Sequence, residues 1–550
     1  MLLGFVGLAL AFLLSSHFVP WTGFQQELCA AIGAACIGAS ALLQRGAWRW
    51  PLLAVAVALS AMIPLAQLGT GLLLYPSDGV LAMLYLLGFA LLISVGARLA
   101  LTHRNDLLNG IFGVFLFSAL NSVWVALCQW LNEVPGVFAI VLTMPGGRAV
   151  GNMGQPNHLA TLLFLGLVGA GWFHQCRTIG KAVLCLIALV LCFGLALTQS
   201  RQVWVGLAVL ACWVAFVRRR SGVAIPAWSV VAFGLLLASA LVALGPLNDA
   251  LLVSEGRPAS ELISQGTRLS NWAAMIDAIA RAPWFGYGWN ELAVAQAAVA
   301  ADHPAMHEML DHSHNLVLDL FVWNGLPLGL LLVGVLAWWI YRHVRACRDP
   351  ASAFLLAALA GVFAHALFEY PLSYTYFLLP VGLAMGAVDG LSPIDNGLRV
   401  PRGLTATLAA IAIATTALVA RDYINVDAAY RQMRLEKFIV STDVQRAPDL
   451  LLLTDWRDFL VLARTEAQPD MDPKWIESMR KVRLRHPYPP ILLRYALVAG
   501  LNGRPDEALS AMVLLCKIHV PQRCSEGLDS WRQARQKYPQ LGPIDISVKP

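Results

Sequence analysis

The chain has 550 residues, 58% hydrophobic and 13% charged, with net charge +6 and mean hydropathy +0.64. A soluble protein carries about 25% charged residues, so a wholly soluble, disordered or collagen-like chain is excluded. Half of the 72 charged residues lie in 421–550, so a long membrane part precedes a polar tail.

The predicted fold is an all-α polytopic membrane protein. A spanning helix needs about 20 mostly apolar residues. Thirteen candidates run 2–19, 27–44, 51–69, 79–99, 107–131, 157–174, 182–198, 203–217, 225–245, 315–341, 352–369, 374–391 and 403–420. The first lacks the basic start and small-residue cleavage site of a signal peptide, so it is read as a span. Short basic loops stay in the cytoplasm. Fourteen Lys and Arg residues fall on one side: Arg45, Arg49, Arg98, Arg104, Arg177, Lys181, Arg218, Arg219, Arg220, Arg342, Arg345, Arg348, Arg399 and Arg402. Five fall on the other: Arg148, Arg201, Arg257, Arg268 and Arg281. With thirteen spans, the N-terminus is then cytoplasmic and the tail outside. Topology explains the basic excess, and nucleic acid is not needed as a partner.

The expected domains are a transmembrane domain, 1–420, and a helical outer domain, 421–550. Two outer loops are long, 132–156 and 246–314, and long polar loops usually carry function. No P-loop, no G-x-G-x-x-G after a strand and no paired Cys-x-x-Cys occurs, which disfavours an ATP-driven pump or a zinc ribbon. In the tail, helical spacing recurs over 425–440, 450–466, 474–485, 490–501, 506–519 and 525–537. Pro448, Pro473, Pro489, Pro505 and Pro521 stand at the boundaries. The turn around Leu497–Leu509 resembles one tetratricopeptide hairpin. Cys516 and Cys524 are the only tail cysteines and can bridge in an oxidising compartment.

Five polar constellations lie on the predicted outer face. Gly146-Gly-Arg-Ala-Val-Gly-Asn-Met-Gly-Gln-Pro-Asn-His158 crowds Arg148, Asn152, Gln155 and Asn157 at a span entrance; it reads equally as a ligand loop or as a capped re-entry turn. Thr198-Gln-Ser-Arg-Gln-Val-Trp204 places the cation Arg201 between two spans, where it marks a function or snorkels to headgroups. Gly266-Thr-Arg-Leu-Ser-Asn-Trp272 sets Arg268 before an amphipathic helix, 270–281, which reads as lying on the membrane surface. A Gly-aromatic run, Ala282 to Asn290, closes it. Asp311-His-Ser-His-Asn-Leu316 offers His312 and His314 as proton carriers. With His303 and His307 it is also a zinc pattern. His365-Ala-Leu-Phe-Glu-Tyr-Pro-Leu372 ends a span with Glu369 and Tyr370, the latter also fitting an aromatic belt.

The set Gly151-Asn-Met-Gly-Gln-Pro-Asn157, Ser200-Arg-Gln-Val-Trp204, Pro283-Trp-Phe-Gly-Tyr-Gly288, His314-Asn315 and Phe368-Glu-Tyr-Pro371 resembles the O-antigen ligase and polymerase superfamily. Within it the chain is most similar to bacterial protein O-oligosaccharyltransferases of the PglL type, over most of 1–420. The resemblance implies a multi-pass inner-membrane glycosyltransferase, active on the periplasmic face, that uses neither a metal nor a cofactor. It would move a glycan from undecaprenyl pyrophosphate to Ser or Thr hydroxyls of pilin or another periplasmic protein. Arg binds a pyrophosphate dianion by charge-assisted, bidentate hydrogen bonds, so Arg201 and Arg268 are the expected clamps, with Arg148 a third. The His-Asn motif makes His314 the expected base and His312 the second. Gln155, Asn157 and Tyr370 are expected to orient donor or acceptor. An O-antigen ligase acting on lipid A–core and an O-antigen polymerase are the alternatives. A flippase of lipid-linked sugars is disfavoured, because ionisable residues cluster at one face rather than at the midplane.

Overall fold

The computed structural model describes residues 1–44, 46, 48–133, 147–253, 268–392, 397–436 and 447–546. Arg45, Arg257, Gly146, Gly266 and Thr267, and most of the loop 132–156, lie outside the described residues. Each of the thirteen predicted apolar stretches falls on a helix or helix pair. Among the described residues, eight are long and apolar enough to cross a membrane: Leu52–Gly69, Pro76–Thr102, Arg104–Trp130, Lys181–Thr198, Gln202–Ser221, Ala227–Leu251, Leu316–Ala346 and Arg402–Arg434. Leu2–Leu13, Pro350–Ala366 and Thr375–Leu391 are apolar but shorter. Phe24–Leu42 and Pro156–Gln175 carry polar first turns, with Gln25, Gln26 and Glu27 in one and Asn157 and His158 in the other.

Several elements differ from the sequence reading in their bounds, such as Ala227–Leu251 and Leu316–Ala346, which run past 245 and 341, and three differences matter more. The first helix stops at Leu13, not near residue 19. Leu52–Gly69 is two helices meeting at Ala61. The last apolar stretch does not end at 420; Arg402–Glu436 is one helix, because nothing in Arg421-Asp-Tyr-Ile-Asn breaks helical propensity.

By packing, the described residues fall into two units. The first comprises Met1–Ala61, Leu84–Ser264 and Gly334–Thr416. Its core is one apolar cluster built by most of its helices, including Leu2–Leu13, Arg104–Trp130, Pro156–Gln175, Lys181–Thr198, Pro350–Ala366 and Thr375–Leu391. Leu2–Leu13 and Phe24–Leu42 cross at Gly4, Gly7 and Gly33, where a Cβ would meet the facing backbone; small residues of this kind let spanning helices approach closely. A two-stranded antiparallel ribbon, Trp48–Pro51 with Gly397–Val400, pairs Arg49 with Arg399.

The second unit comprises Met62–Met83, Gln265–Val333 and Ala417–Pro550. Its tail helices are Thr454–Arg464, Pro473–Arg485, Pro489–Leu501, Pro505–Ile518 and Pro521–Lys537, each packed on the next. Four of them begin with proline, whose fixed φ and missing N–H suit the first helical position. The last two are joined by a Cys516–Cys524 disulfide, with Cα atoms 4.5 Å apart. The tail also binds the segment before the histidines: Met306 N–H donates to Lys517 O (2.8 Å) and Lys517 Nζ to His303 O (2.6 Å). A buried ionic group ties it to residues 74–78. Arg485 Nε donates to Asp78 (2.7 Å), and Asp455 accepts from Ser77 Oγ (2.9 Å) and lies 3.2 Å from His486.

Candidate functional site

In the first unit, the run Gly151 to His158 folds tightly before its helix. Gly151 and Gly154 take φ of 59° and 69°, a region that only glycine enters without strain. Gln155 caps the helix: its side-chain oxygen accepts from His158 N (2.8 Å), with Pro156 at the first helical position. Asn152 is buried and donates to Leu13 O (2.7 Å). Both are thus used in building the turn.

Asn157 stands at the centre of a hydrogen-bonded cluster. Its Nδ2 donates to the buried Glu369 carboxylate (2.8 Å), and its Oδ1 accepts from Ser200 Oγ (2.7 Å). An amide suits this place, because it donates to an acid and accepts from an alcohol at once. Gln202 Nε2 donates to Asn157 O (2.7 Å) and to Thr161 Oγ1 (2.9 Å), and Thr161 Oγ1 lies 2.8 Å from His365 Nδ1. Arg148 Nε donates to Thr198 O (2.9 Å). The turn 198–201 is therefore fastened at Thr198 by Arg148 and at Ser200 by Asn157. It presents Arg201, exposed, at the N-cap of the helix Gln202–Ser221. Tyr370 stacks on Tyr374 (centroids 6.0 Å apart), and the buried ring of His158 meets Tyr370 edge-on at 6.1 Å. The structure thus brings Arg148, Asn157, Arg201 and the sequence neighbours Glu369 and Tyr370 into one polar end of the unit.

In the second unit, Arg268 is the first residue of the helix Arg268–Arg281 and is half-buried. The histidines sit on a turn that enters the helix Leu316–Ala346. Asn315 caps that helix through Val317 N (3.0 Å) and Leu318 N (3.2 Å). His314 takes a left-handed φ of 58°. His312 Nδ1 lies 3.4 Å from buried Asp319, which also accepts from Ser313 N (2.8 Å). His314 Nε2 lies 3.9 Å from Glu308. Trp272 Nε1 donates to Ser313 O (2.9 Å), so the helix Arg268–Arg281 holds the histidine turn directly. The other two histidines go elsewhere: His303 pairs with Asp277 (3.0 Å), and His307 Nδ1 lies 3.0 Å from His519 O. Among the described residues no three His, Cys, Asp or Glu side chains converge as a metal-ligand set.

The Gly-aromatic run has a structural use. The helix Leu316–Ala346 is broken at Gly325, φ 72°, two residues before Pro327. The run covers the break: Tyr287 N donates to Val322 O (2.8 Å), Gly288 N to Trp323 O (3.1 Å), and Leu326 N to Pro283 O (2.7 Å). Gln67 adds a bond to Trp323 O (3.0 Å) and one from Trp289 N (2.9 Å). A break inside a long apolar helix needs such partners for its freed backbone groups.

Sequence reasoning assigned no role to Glu369, Gln202, Thr161 or Asp319. The available signal was an ionisable or polar residue inside an apolar helix or at its end, where it is expensive unless paired.

Three protein families match separate stretches of the chain. Residues 149–174 match the family described as protein glycosylation ligase, 185–333 the O-antigen ligase family, and 353–519 the C-terminal part of the virulence factor membrane-bound polymerase family. The chain is 28% identical to a general O-oligosaccharyltransferase of Acinetobacter baylyi, over 94% of this chain and 92% of that one. It is 27% identical to a ComP-specific O-oligosaccharyltransferase of the same organism, over 52% of this chain and 53% of the other.

Proposed function

We propose that the chain is a protein O-oligosaccharyltransferase of the O-antigen ligase superfamily, a glycosyltransferase moving an oligosaccharide en bloc onto Ser or Thr hydroxyls of extracytoplasmic proteins. The observation that carries this reading is the 28% identity to a general O-oligosaccharyltransferase across nearly the full length of both chains. The donor is an undecaprenyl-pyrophosphate-linked glycan, and a pilin is the acceptor to try first.

In the reaction, the acceptor oxygen forms a bond to the anomeric carbon of the glycan. The bond from that carbon to the pyrophosphate oxygen breaks, and polyprenyl pyrophosphate leaves. Charge grows on the leaving group, so preorganised cations there stabilise the transition state most. We assign Arg201 and Arg268 to it, with Arg148 a third, because a guanidinium binds a pyrophosphate dianion by charge-assisted, bidentate hydrogen bonds. The acceptor hydroxyl is a weak nucleophile and gains from a base. His314 takes its proton; His312, oriented by Asp319, is the second choice. Asn157, Gln155 and Tyr370 orient donor or acceptor, Asn157 through the Ser200 turn and Gln155 through the cap.

The protein is a multi-pass membrane protein. We assign it to the inner membrane with thirteen crossings, a cytoplasmic N-terminus, and both the catalytic face and the tetratricopeptide-like domain 421–550 in the periplasm. The fourteen-to-five basic asymmetry supports this orientation.

The reading is tested in cells that make a lipid-linked glycan. Expressing the protein with a candidate pilin should raise the pilin's intact mass by one whole glycan. Glycan on lipid A–core with none on pilin would make it a ligase, and longer lipid-linked chains alone would make it a polymerase.

A further inference from the structure

The helix Arg268–Arg281 is apolar on two faces. One face, Ala274, Met275, Ala278 and Ile279, is buried, with the polar Asn271 at its start donating to Glu308 (3.0 Å). The other, Leu269, Ala273, Ile276 and Ala280, is exposed. Spacings of four, three and four place these residues on a single stripe. The stripe runs on into Trp284 and Phe285, which are 71% and 78% exposed. A helix facing water would carry charge on its outer side, yet here the charges gather along a separate edge. There Arg281 bonds Asp277 (2.7 Å) and Asp302 (2.8 Å), and His303 lies 3.0 Å from Asp277.

The neighbourhood of the stripe says what covers it. The backbone bond from Leu326 N to Pro283 O fixes the Trp284-Phe285 turn beside the helix Leu316–Ala346. Gly286 is so close to that helix that a Cβ would strike Val322 O. The same helix exposes Leu326, Leu330 and Leu331 and is long and apolar enough to cross the membrane. The exposed apolar surface is therefore continuous with the lipid-facing side of a spanning helix.

We infer that Leu269, Ile276, Trp284 and Phe285 form an in-plane anchor seated in the phospholipid bilayer at the headgroup–acyl boundary. Trp favours that boundary, and a helix with one apolar stripe and a charged edge lies along it. The charged edge at Asp277, Arg281 and Asp302 faces water. The anchor also has a consequence for the site. Arg268 begins this helix, and Trp272 Nε1 holds Ser313 O at 2.9 Å. The anchor thus fixes Arg268 and the histidine turn at headgroup depth; this part rests on the transfer reading above, since that is where a lipid-linked pyrophosphate lies.

The test uses the full chain in membranes, with no donor or acceptor added, so it reads independently of transfer. Ile276→Cys and Phe285→Cys are labelled with a membrane-impermeant maleimide, with Ala301→Cys and Ala305→Cys as water-facing controls. The unsubstituted protein gives the background of its own thiols. The first pair should label at least about tenfold more slowly than the controls. A photoreactive benzoylphenylalanine in place of Phe285 should then add the mass of one phospholipid. Labelling of Ile276→Cys and Phe285→Cys at the control rate would overturn the anchor. Slow labelling with crosslinks to a second copy or to another polypeptide would overturn it too, by naming a protein as the occupant.

Discussion

Asn157 shows how much of the first unit's polar end depends on a single amide. It joins a buried carboxylate to the hydroxyl beside Arg201. The motif Gly-Gln-Pro-Asn was legible as a capped re-entry, but its partner Glu369 is 212 residues away, and no local pattern announces that pairing. The same holds for His312 and Asp319: the residues were visible, and their contact was not. The arginines carry the sharpest prediction at this scale. A charge-assisted hydrogen bond is worth about 1.5–3 kcal/mol, and each 1.36 kcal/mol is tenfold in rate. Arg201→Ala and Arg268→Ala should each lower transfer by about 10- to 150-fold, measured as glycosylated pilin per unit of membrane-inserted enzyme. Arg→Lys at either position should recover only part, because Lys lacks the planar fork. Wild-type transfer by both Ala variants would remove the clamp from the mechanism.

Among the elements, the apolar helices were readable because a run of about twenty apolar residues has one dominant physical meaning in a membrane protein. Their interruptions were not. The break at Gly325 depends on a backbone supplied by residues 283–288, and the helix sequence alone shows only Gly-Leu-Pro. Gly325 takes φ 72°, and a Cβ there would meet the Trp284 carbonyl. Gly325→Ala should therefore destabilise the second unit markedly. Thermal unfolding in detergent should shift downward by several degrees, whereas Gly334→Ala, where a Cβ meets nothing, should leave it within error. Equal behaviour of the two variants would mean that the break is not constrained by the aromatic run. The tail helices were legible through their prolines, and four of the five helices after 447 begin on one. The final apolar helix was not bounded correctly, because it continues through Arg421 and Asp422 without a stop signal.

Across the whole molecule, composition separated a membrane part from a polar tail, yet packing draws the line elsewhere. The tail shares its unit with residues 62–83 and 265–333, a grouping made by long-range contacts that composition cannot register. Glu291 reports on that unit. Burial pushes its carboxyl up to about 8, the Asp78 carboxylate adds to this, and Arg485 opposes it. A carboxyl near 4.3 when unfolded and near 8 when folded keeps its proton only in the folded state. Its contribution to stability is complete below the unfolded value and lost as pH rises through the folded one. Unfolding temperature should fall between about pH 5 and pH 8, and Glu291→Gln should flatten that decline. An identical slope in the variant would show that Glu291 does not govern it.

The proposed reaction is transfer of an intact oligosaccharide from a polyprenyl pyrophosphate to a protein hydroxyl. The most direct measurement is reconstitution of the purified full-length enzyme in proteoliposomes with a lipid-linked oligosaccharide and purified pilin, without any nucleotide sugar. Intact-mass analysis with site mapping should find one whole glycan on a Ser or Thr, matched by free polyprenyl pyrophosphate, and no product with His314→Ala. Unmodified pilin beside an active enzyme that glycosylates lipid A–core, or pilin carrying single sugars built stepwise, would contradict it.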